Sequence, residues 1–381
     1  MLEAGFGPGP QLIWGPNAAG KTTLLEAIVL LGTGKSHRTS TDSELIRWGA
    51  DYLRIEGVVG RLDDPESAAG PAGQGSPVPS ASFDTTLEVA LQTGGRKRIQ
   101  VNGVPRRPAV LSDHLRTVLF APEEMLLVIG PPTLRRTSLD TLTAPHDRSY
   151  AANVATYGRA LQQRNSLLRA IREGTSDRDQ LRLWDEPFLT AGAAIVEARL
   201  RLLELLAEPL AAAHREIAPA EERLTMSYSS NAAPLPGERP REALARRLRE
   251  TADKEQWNGS TLIGPHRDDL IFSIGGRDLS TFASRGQQRT AILALKLAEL
   301  DILTALDGKP PLLLLDDVFS ELDPARRGHL VRRIAALPQA LITTTDPADI
   351  DADLRRQARS WQVMAGDDDN PGGARIVGGD R

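Results

Sequence analysis

The chain contains no cysteine. That excludes a disulfide framework, a thiolate metal site and a Cys nucleophile. Histidine is scarce as well. The six present are scattered without paired ligand spacing, so no zinc site is expected. Aromatic residues make up only 4% of the sequence. Lysine is nearly absent from the basic set: of 46 basic residues, six are Lys and 40 are Arg. The planar guanidinium fork suits phosphate and carboxylate, although a compositional bias of the gene gives the same excess. There is little net charge of either sign, −4 in all. Bulk charge therefore does not point to nucleic acid, and a surface of that kind has to be local. No apolar run approaches the roughly 18 residues needed to span a bilayer. Met1-Leu2-Glu3-Ala4-Gly5 has neither the basic nor the apolar region of a secretion signal. The expectation is a cytoplasmic protein with no membrane partner.

What is present is an ordinary globular composition, 40% hydrophobic and 25% charged over 381 residues. That length suggests two or three lobes. Residues 11–14 read as a buried strand and 22–31 as a helix stopped by Gly32 and Gly34. Strands are expected at 52–60, 83–91 and 98–101, with turns at Gly94-Gly95 and Asn102-Gly103. The Pro/Gly/Ser/Ala-rich stretch at 61–82 has too few apolar residues to pack and reads as a mobile loop. From about 150 to 255, Ala, Leu, Arg and Glu recur at helical spacing, broken by a Pro-rich loop at 231–240. Strand-like runs return from about 261: a helix over 291–300, a fully apolar strand over 311–315 and another strand over 341–345. Strands alternating with helices imply a largely parallel sheet. The polar segment at 366–381 is expected to fray.

Gly15-Pro16-Asn17-Ala18-Ala19-Gly20-Lys21-Thr22 fits the pattern G-x-x-x-x-G-K-[ST]. Glycines let backbone N–H groups curl around phosphate oxygens, and the helix that follows adds its positive end. Lys21 can reach the β- and γ-phosphates and Thr22 can ligate Mg²⁺. Residue frequencies give roughly 0.005 chance matches in the whole chain, and this one follows an apolar strand and opens a helix. Leu312-Leu313-Leu314-Leu315 ends in Asp316 and Asp317. Such a strand end can hold the metal shell through Asp316 and polarise a water through Asp317. A plain helix cap would look the same in isolation, and pairing with a phosphate loop favours the functional reading. Ser284-Arg285-Gly286-Gln287-Gln288 is a small-residue turn before a helix, which suits either phosphate binding or simple capping.

The order of phosphate loop, long insertion, [ST]-x-G-Q turn, helix and apolar-Asp-Asp strand resembles the ATPase heads of the SMC and ABC superfamily. Blocks at 15–28, 32–50, 120–136, 157–168, 261–270, 282–300 and 312–323 narrow the resemblance to the RecF family. It runs over nearly the whole chain, from about residue 12 to 345. It implies an α/β fold: an ABC-type head with a mixed sheet flanked by helices, and a compact all-helical arm inserted. The corresponding division is a head lobe at 1–149, the arm at 150–258, the second part of the head at 259–365 and a flexible tail at 366–381. Members usually carry a further strand before the phosphate loop. Only 14 residues precede Gly15 here, so a strand of the sheet is expected to be missing.

The resemblance also implies roles. ATP and Mg²⁺ fall to Gly15 through Thr22, with Thr23 beside them. Lys21, Asp316, Asp317 and Ser284 form the catalytic set, and Thr22 and Asp316 face the metal. Asp317 stands where ABC proteins usually carry Glu, consistent with slow, switch-like hydrolysis. Ser284, Gly286 and Gln287 would cap the γ-phosphate held by a second copy, giving an ATP-dependent homodimer. Asp323 belongs to the loop that bridges the two sites. Thr345 ends the strand where many relatives place a γ-side histidine. Function follows as a weak DNA-stimulated ATPase of recombinational repair, working on single-stranded and gapped duplex DNA with RecR and RecO. A transporter nucleotide-binding subunit and an SMC-like scaffold gated by ATP are the competing readings. The 261–270 block and the absent histidine argue against the transporter.

Several basic clusters could neutralise DNA phosphates: Lys35, His37 and Arg38; Arg96, Lys97 and Arg98; Arg106 and Arg107; Arg135 and Arg136. The Arg96–Arg107 hairpin is the first choice, because its turns would lift the charge off the head. A solvated charged face is the competing explanation for each cluster.

Overall fold

The computed structural model describes residues 2–39, 41–60, 84–144, 147–366 and 373–378. The loop expected at 61–82 lies outside these. The chain divides into two compact units, Met1–Glu124 with Leu300–Arg381, and Met125–Glu299.

The first unit opens with strand β1 (Gly9–Trp14), which runs through the phosphate loop into helix α1 (Lys21–Thr33). An antiparallel sheet follows, in the order β2 (Tyr52–Val59), β3 (Thr85–Gln92), β4 (Arg98–Val101), β5 (Val104–Pro105). Along β2 the exposed and half-buried residues alternate without a break, as a sheet with one wet face requires. The inner face meets α1 in a core of Leu31, Leu87, Val89, Ile99, Val101 and Leu111. Gly57 is needed on that face: a Cβ there would stand 2.6 Å from Leu31 Cδ1. The chain then enters β6 (Thr117–Phe120) before leaving for the second unit.

The second unit contains α2 (Leu126–Ile129), α3 (Pro132–Thr143), α4 (Arg148–Arg172), α5 (Arg182–Ile217), β7 (Leu224–Ser229), α6 (Pro240–Asn258), β8 (Asp269–Ile274), β9 (Arg277–Asp278) and α7 (Leu279–Phe282). Helix α8 (Arg285–Asp307) ends it and continues past the boundary. The inserted segment is mainly helical, with a core of Tyr150, Tyr157, Phe188, Ile195, Leu244 and Ile263. It is not the all-helical arm that the resemblance implied for 150–258, because it contains a strand. β7 alternates buried and exposed residues at period two and pairs antiparallel with β8. That pairing, and the contact of α3 with β8, bind residues outside 150–258 into the same compact body.

Back in the first unit come β10 (Leu312–Asp316), α9 (Pro324–Ala335), β11 (Gln339–Thr344), α10 (Ala352–Gln357), β12 (Arg359–Ala365) and β13 (Ala374–Gly378). They form a six-stranded sheet, β13-β12-β1-β11-β10-β6, parallel except for β13. β1 has neighbours on both sides and is an interior strand. Part of the polar segment expected to fray is β13, because 374–378 adds a ladder to the edge of β12. The core of this unit joins Ile13, Leu25, Val29, Leu119, Leu314, Leu341 and Val363.

Candidate nucleotide-binding site

The phosphate loop begins where β1 ends. Gly15 is forced by close approach, since a Cβ there would lie 2.1 Å from the Val363 carbonyl oxygen. Gly20 caps α1 with φ +104, a conformation that favours glycine. Ala18 also has positive φ, at 64°, an uncommon geometry for a residue with a Cβ. Pro16, Asn17 and Ala18 are exposed, Thr22 is half-buried and Thr23 is exposed. Lys21 is buried, and its Nζ donates to the Gly15 carbonyl at 2.7 Å and the Pro16 carbonyl at 2.9 Å. The loop thus holds its cation against its own backbone, where triphosphate oxygens can take over those bonds. Burial pushes the Lys21 ammonium below its usual range, while Asp317 and then Asp316 pull it back up. Both carboxylates therefore act on the phosphate loop electrostatically.

Asp316 ends β10 and is buried. Its register partner on β11 is Thr343. The Thr343 hydroxyl donates to Asp316 Oδ1 at 2.5 Å and accepts from the Asp317 N–H at 3.1 Å. The same N–H lies 3.2 Å from the Thr343 carbonyl oxygen. These bonds hold Asp317 at φ 51, in the left-handed region that non-glycine residues rarely adopt. Sequence reasoning missed Thr343. Its only signal was a run of three threonines at the strand end, and Thr345 was preferred. Thr345 lies one residue beyond β11 and is half-buried.

Mg²⁺ keeps several waters and needs only one or two protein oxygens beside the phosphates. The Thr22 hydroxyl and the Asp316 carboxylate, braced by Thr343, make a donor set of that size and hardness.

Glu26, one turn further along α1, was also missed. It is buried, accepts from the Ser36 hydroxyl and pairs with Arg38 at 3.5 Å. This ties the 36–38 segment down on α1. Burial pushes the His37 imidazole below its usual range. Of the Lys35, His37, Arg38 cluster, His37 is half-buried, Arg38 is exposed but paired with Glu26, and Lys35 is exposed. Asp323 caps α9, accepting from the Arg326 N–H at 3.0 Å and pairing with its guanidinium at 2.7 Å. The Arg326 backbone bond is the main reason its carboxyl lies below the usual range.

The second unit holds Ser284, Gly286 and Gln287. The Ser284 hydroxyl accepts from the Gln287 N–H at 3.3 Å and the Gln287 Oε1 accepts from the Ser284 N–H at 3.1 Å. This reciprocal capping box presents an exposed Ser284 at the start of a long helix. Arg135 and Arg136, expected as a basic surface, are engaged within their unit. Arg135 is buried and binds Asp269 through two bonds of 2.7 and 2.8 Å. It also donates to the Leu127, Val128 and Gly130 carbonyls. Arg136 donates to the Asp268 carbonyl at 2.8 Å. In the hairpin of the first unit, Arg96, Arg98, Arg106 and Arg107 are exposed. Lys97 is half-buried and paired with Asp42 at 2.5 Å.

A phosphate loop with a buried lysine on a mainly parallel sheet, and a buried Asp316 at the end of strand β10, define an ATPase head of the ABC and SMC type. A family model described as "RecF/RecN/SMC N terminal domain" matches residues 2–355. The DNA replication and repair protein RecF of Symbiobacterium thermophilum is 39% identical over 354 residues, covering 92% of this chain and 88% of that protein. RecF of Moorella thermoacetica is 38% identical over 360 residues, covering 94% and 90%. A solved structure of the recombination mediator protein RecF with ATP, from the RecFOR pathway, matches with a TM-score of 0.83. It is 32% identical, and the match covers 98% of this chain and 93% of that one. The chain belongs to the RecF family.

Proposed function

We propose that this protein is a cytoplasmic ATP-dependent DNA-binding protein of recombinational repair and replication-gap processing. ATP would lie on Gly15–Thr22 and Thr23, with Thr22 and Asp316 holding Mg²⁺. Bound Mg²⁺ would supply charge neutralisation at the phosphates. Lys21 exchanges its bonds to the Gly15 and Pro16 carbonyls for phosphate oxygens. Asp317 orients the attacking water and accepts its proton. Its carboxylate is one methylene shorter than the usual Glu, which suits the slow, weakly DNA-stimulated hydrolysis of a switch. Ser284, Gly286 and Gln287 of a second copy would cap the γ-phosphate, with Asp323 and Thr345 at the same junction, so ATP makes a homodimer. That dimer would hold single-stranded and gapped duplex DNA, with Arg96, Lys97, Arg98, Arg106 and Arg107 as its phosphate contacts. RecR and RecO would act with it in loading the recombinase, and hydrolysis would release it.

The observation that carries this reading is a buried phosphate-loop lysine bonded to the Gly15 and Pro16 carbonyls, on a sheet whose strand β10 ends in the buried Asp316. The test is retention on a gapped duplex, with and without ATP, at two salt concentrations. ATP should prolong retention, Lys21→Arg should prolong it further by keeping ATP and losing hydrolysis, and higher salt should shorten both. Retention indifferent to ATP would overturn the proposal.

A further inference from the structure

Two of the few aromatic side chains are fully committed to solvent within one short stretch. Trp48 is 99% exposed and Tyr52 is 69% exposed. Apolar surface left in water marks an interaction site where it is gathered in one place rather than scattered. The stretch is held rigid. Ile46 is buried at one end. The Ala50 N–H donates to the Arg47 carbonyl at 2.9 Å, and Gly49 has φ +79. At the other end the Asp51 carbonyl accepts from both the Thr93 N–H, at 2.9 Å, and the Thr93 hydroxyl, at 3.1 Å. Asp51 is thereby fastened to the start of the turn that carries Arg96, and Tyr52 opens β2, the edge strand of the antiparallel sheet.

The register of that sheet places cations on the face that carries Tyr52. Arg54 faces Ala90, and Ala90 faces Arg98. Residues directly opposite in an antiparallel ladder share a face, and strands lie about 4.8 Å apart, so the two arginine backbones stand about 10 Å apart across a small alanine. Tyr52 is two residues from Arg54 on β2 and shares its exposed face. Arg54 is shared between Glu56, at 2.7 Å, and Glu88, at 3.1 Å, while Arg98 is exposed at the far strand. The exposed face thus carries Tyr52, Arg54 with its two carboxylate partners, and Arg98, and Arg96 is exposed in the turn between β3 and β4. Flat π-faces accept unpaired bases whatever their sequence, and the cations track the backbone. A duplex offers its phosphates to the same cations but hides its base faces in the stack.

We infer that Trp48 and Tyr52 form a stacking platform for unpaired nucleobases, with Arg96 and Arg98 as its backbone contacts. The inference rests on the DNA-binding reading above and specifies which strand this face holds. The experiment uses the full chain, a labelled oligothymidylate and a duplex of equal length, read by fluorescence anisotropy. Trp48→Ala and Tyr52→Ala should each weaken oligothymidylate binding on the order of tenfold and leave duplex binding unchanged. Trp48→Phe and Tyr52→Phe, which keep a ring, should restore most of it. Neither alanine variant should alter the dependence of binding on salt, whereas Arg98→Gln should make it shallower. Tryptophan emission should fall when oligothymidylate binds the wild type and fall less in Trp48→Phe. Unchanged single-strand binding in both alanine variants would overturn the platform. So would an equal loss on duplex and single strand. A wild-type protein that binds neither DNA would overturn the DNA reading itself, a result distinct from either of these.

Discussion

Thr343 joins the Asp316 carboxylate to the Asp317 backbone at the acidic strand end through one hydroxyl. It donates to Asp316 and accepts from the Asp317 backbone, and it is fully buried. Replacing that hydroxyl by a methyl group leaves Asp316 short of a donor, and the Asp317 N–H keeps only the Thr343 carbonyl at 3.2 Å. A buried group left unsatisfied costs about 1–3 kcal/mol. Thr343→Val should therefore lower unfolding free energy by that amount in a urea titration. It should also weaken Mg-ATP binding, because the metal-side carboxylate and the left-handed turn at Asp317 both lose their brace. Lys21 and Asp316 could be read directly from the sequence, since the loop pattern and the strand end are local. Thr343 could not, because its role depends on the register between β10 and β11. Arg135 and Arg136 misled for the complementary reason: a basic pair in sequence says nothing about the carboxylate and carbonyls that surround it.

At the scale of an element, the segment from Thr261 to Asp269 knits the second unit together. Arg199, buried on α5, donates to the Pro265 carbonyl at 2.9 Å and to Asp140 at 2.9 Å. Asp268 accepts from the Tyr228 hydroxyl at 2.8 Å and from Ser230 at 2.9 Å. Arg164 bonds Thr261 at 2.8 Å and Glu255 at 3.3 Å. His266 lies 2.6 Å from the Tyr157 hydroxyl. Burial first, then the Arg267 guanidinium, push its imidazole down to about 4. The unfolded chain therefore binds the proton that the folded one refuses. Stability is lost as pH falls from the ordinary histidine range of about 6.5 toward 4, by about 3 kcal/mol in all. Burial holds the carboxyls of Asp268 and Glu255 above their usual range, and their protonation works in the opposite direction. A His266→Asn variant removes only the histidine term. Across that pH interval it should lose about 3 kcal/mol less than the wild type, measured by denaturant unfolding at each pH. Equal losses would remove His266 from the acid sensitivity. The helices of this unit were legible from their spacing, whereas β7 was not. Its six residues become a strand because β8, which follows the whole of α6, offers a partner.

For the whole molecule, the decisive question is what meets the exposed turn at Ser284. The capping box explains why serine and glutamine stand three residues apart, and it leaves the turn in solvent at a helix N-terminus. Ser284→Arg removes a cap, at a cost of about 1 kcal/mol, and puts a bulky cation where a second copy would close. ATP binding should remain near normal and the ATP-dependent dimer should disappear in light scattering. A variant that still dimerises with ATP would remove this turn from the interface.

The sequence by itself determined the phosphate loop, the acidic strand end, the capping turn and the alternation of strands and helices, because each is a contiguous pattern of side chains acting on its own backbone. Only the tertiary structure decided that Thr343 braces Asp316 and the Asp317 backbone, that Glu26 anchors the 36–38 segment, that Arg135 is an internal strut and that Arg54 and Arg98 flank Ala90 on one face. Those pairings join residues far apart in the chain. They are fixed by strand register and burial, which no local pattern encodes.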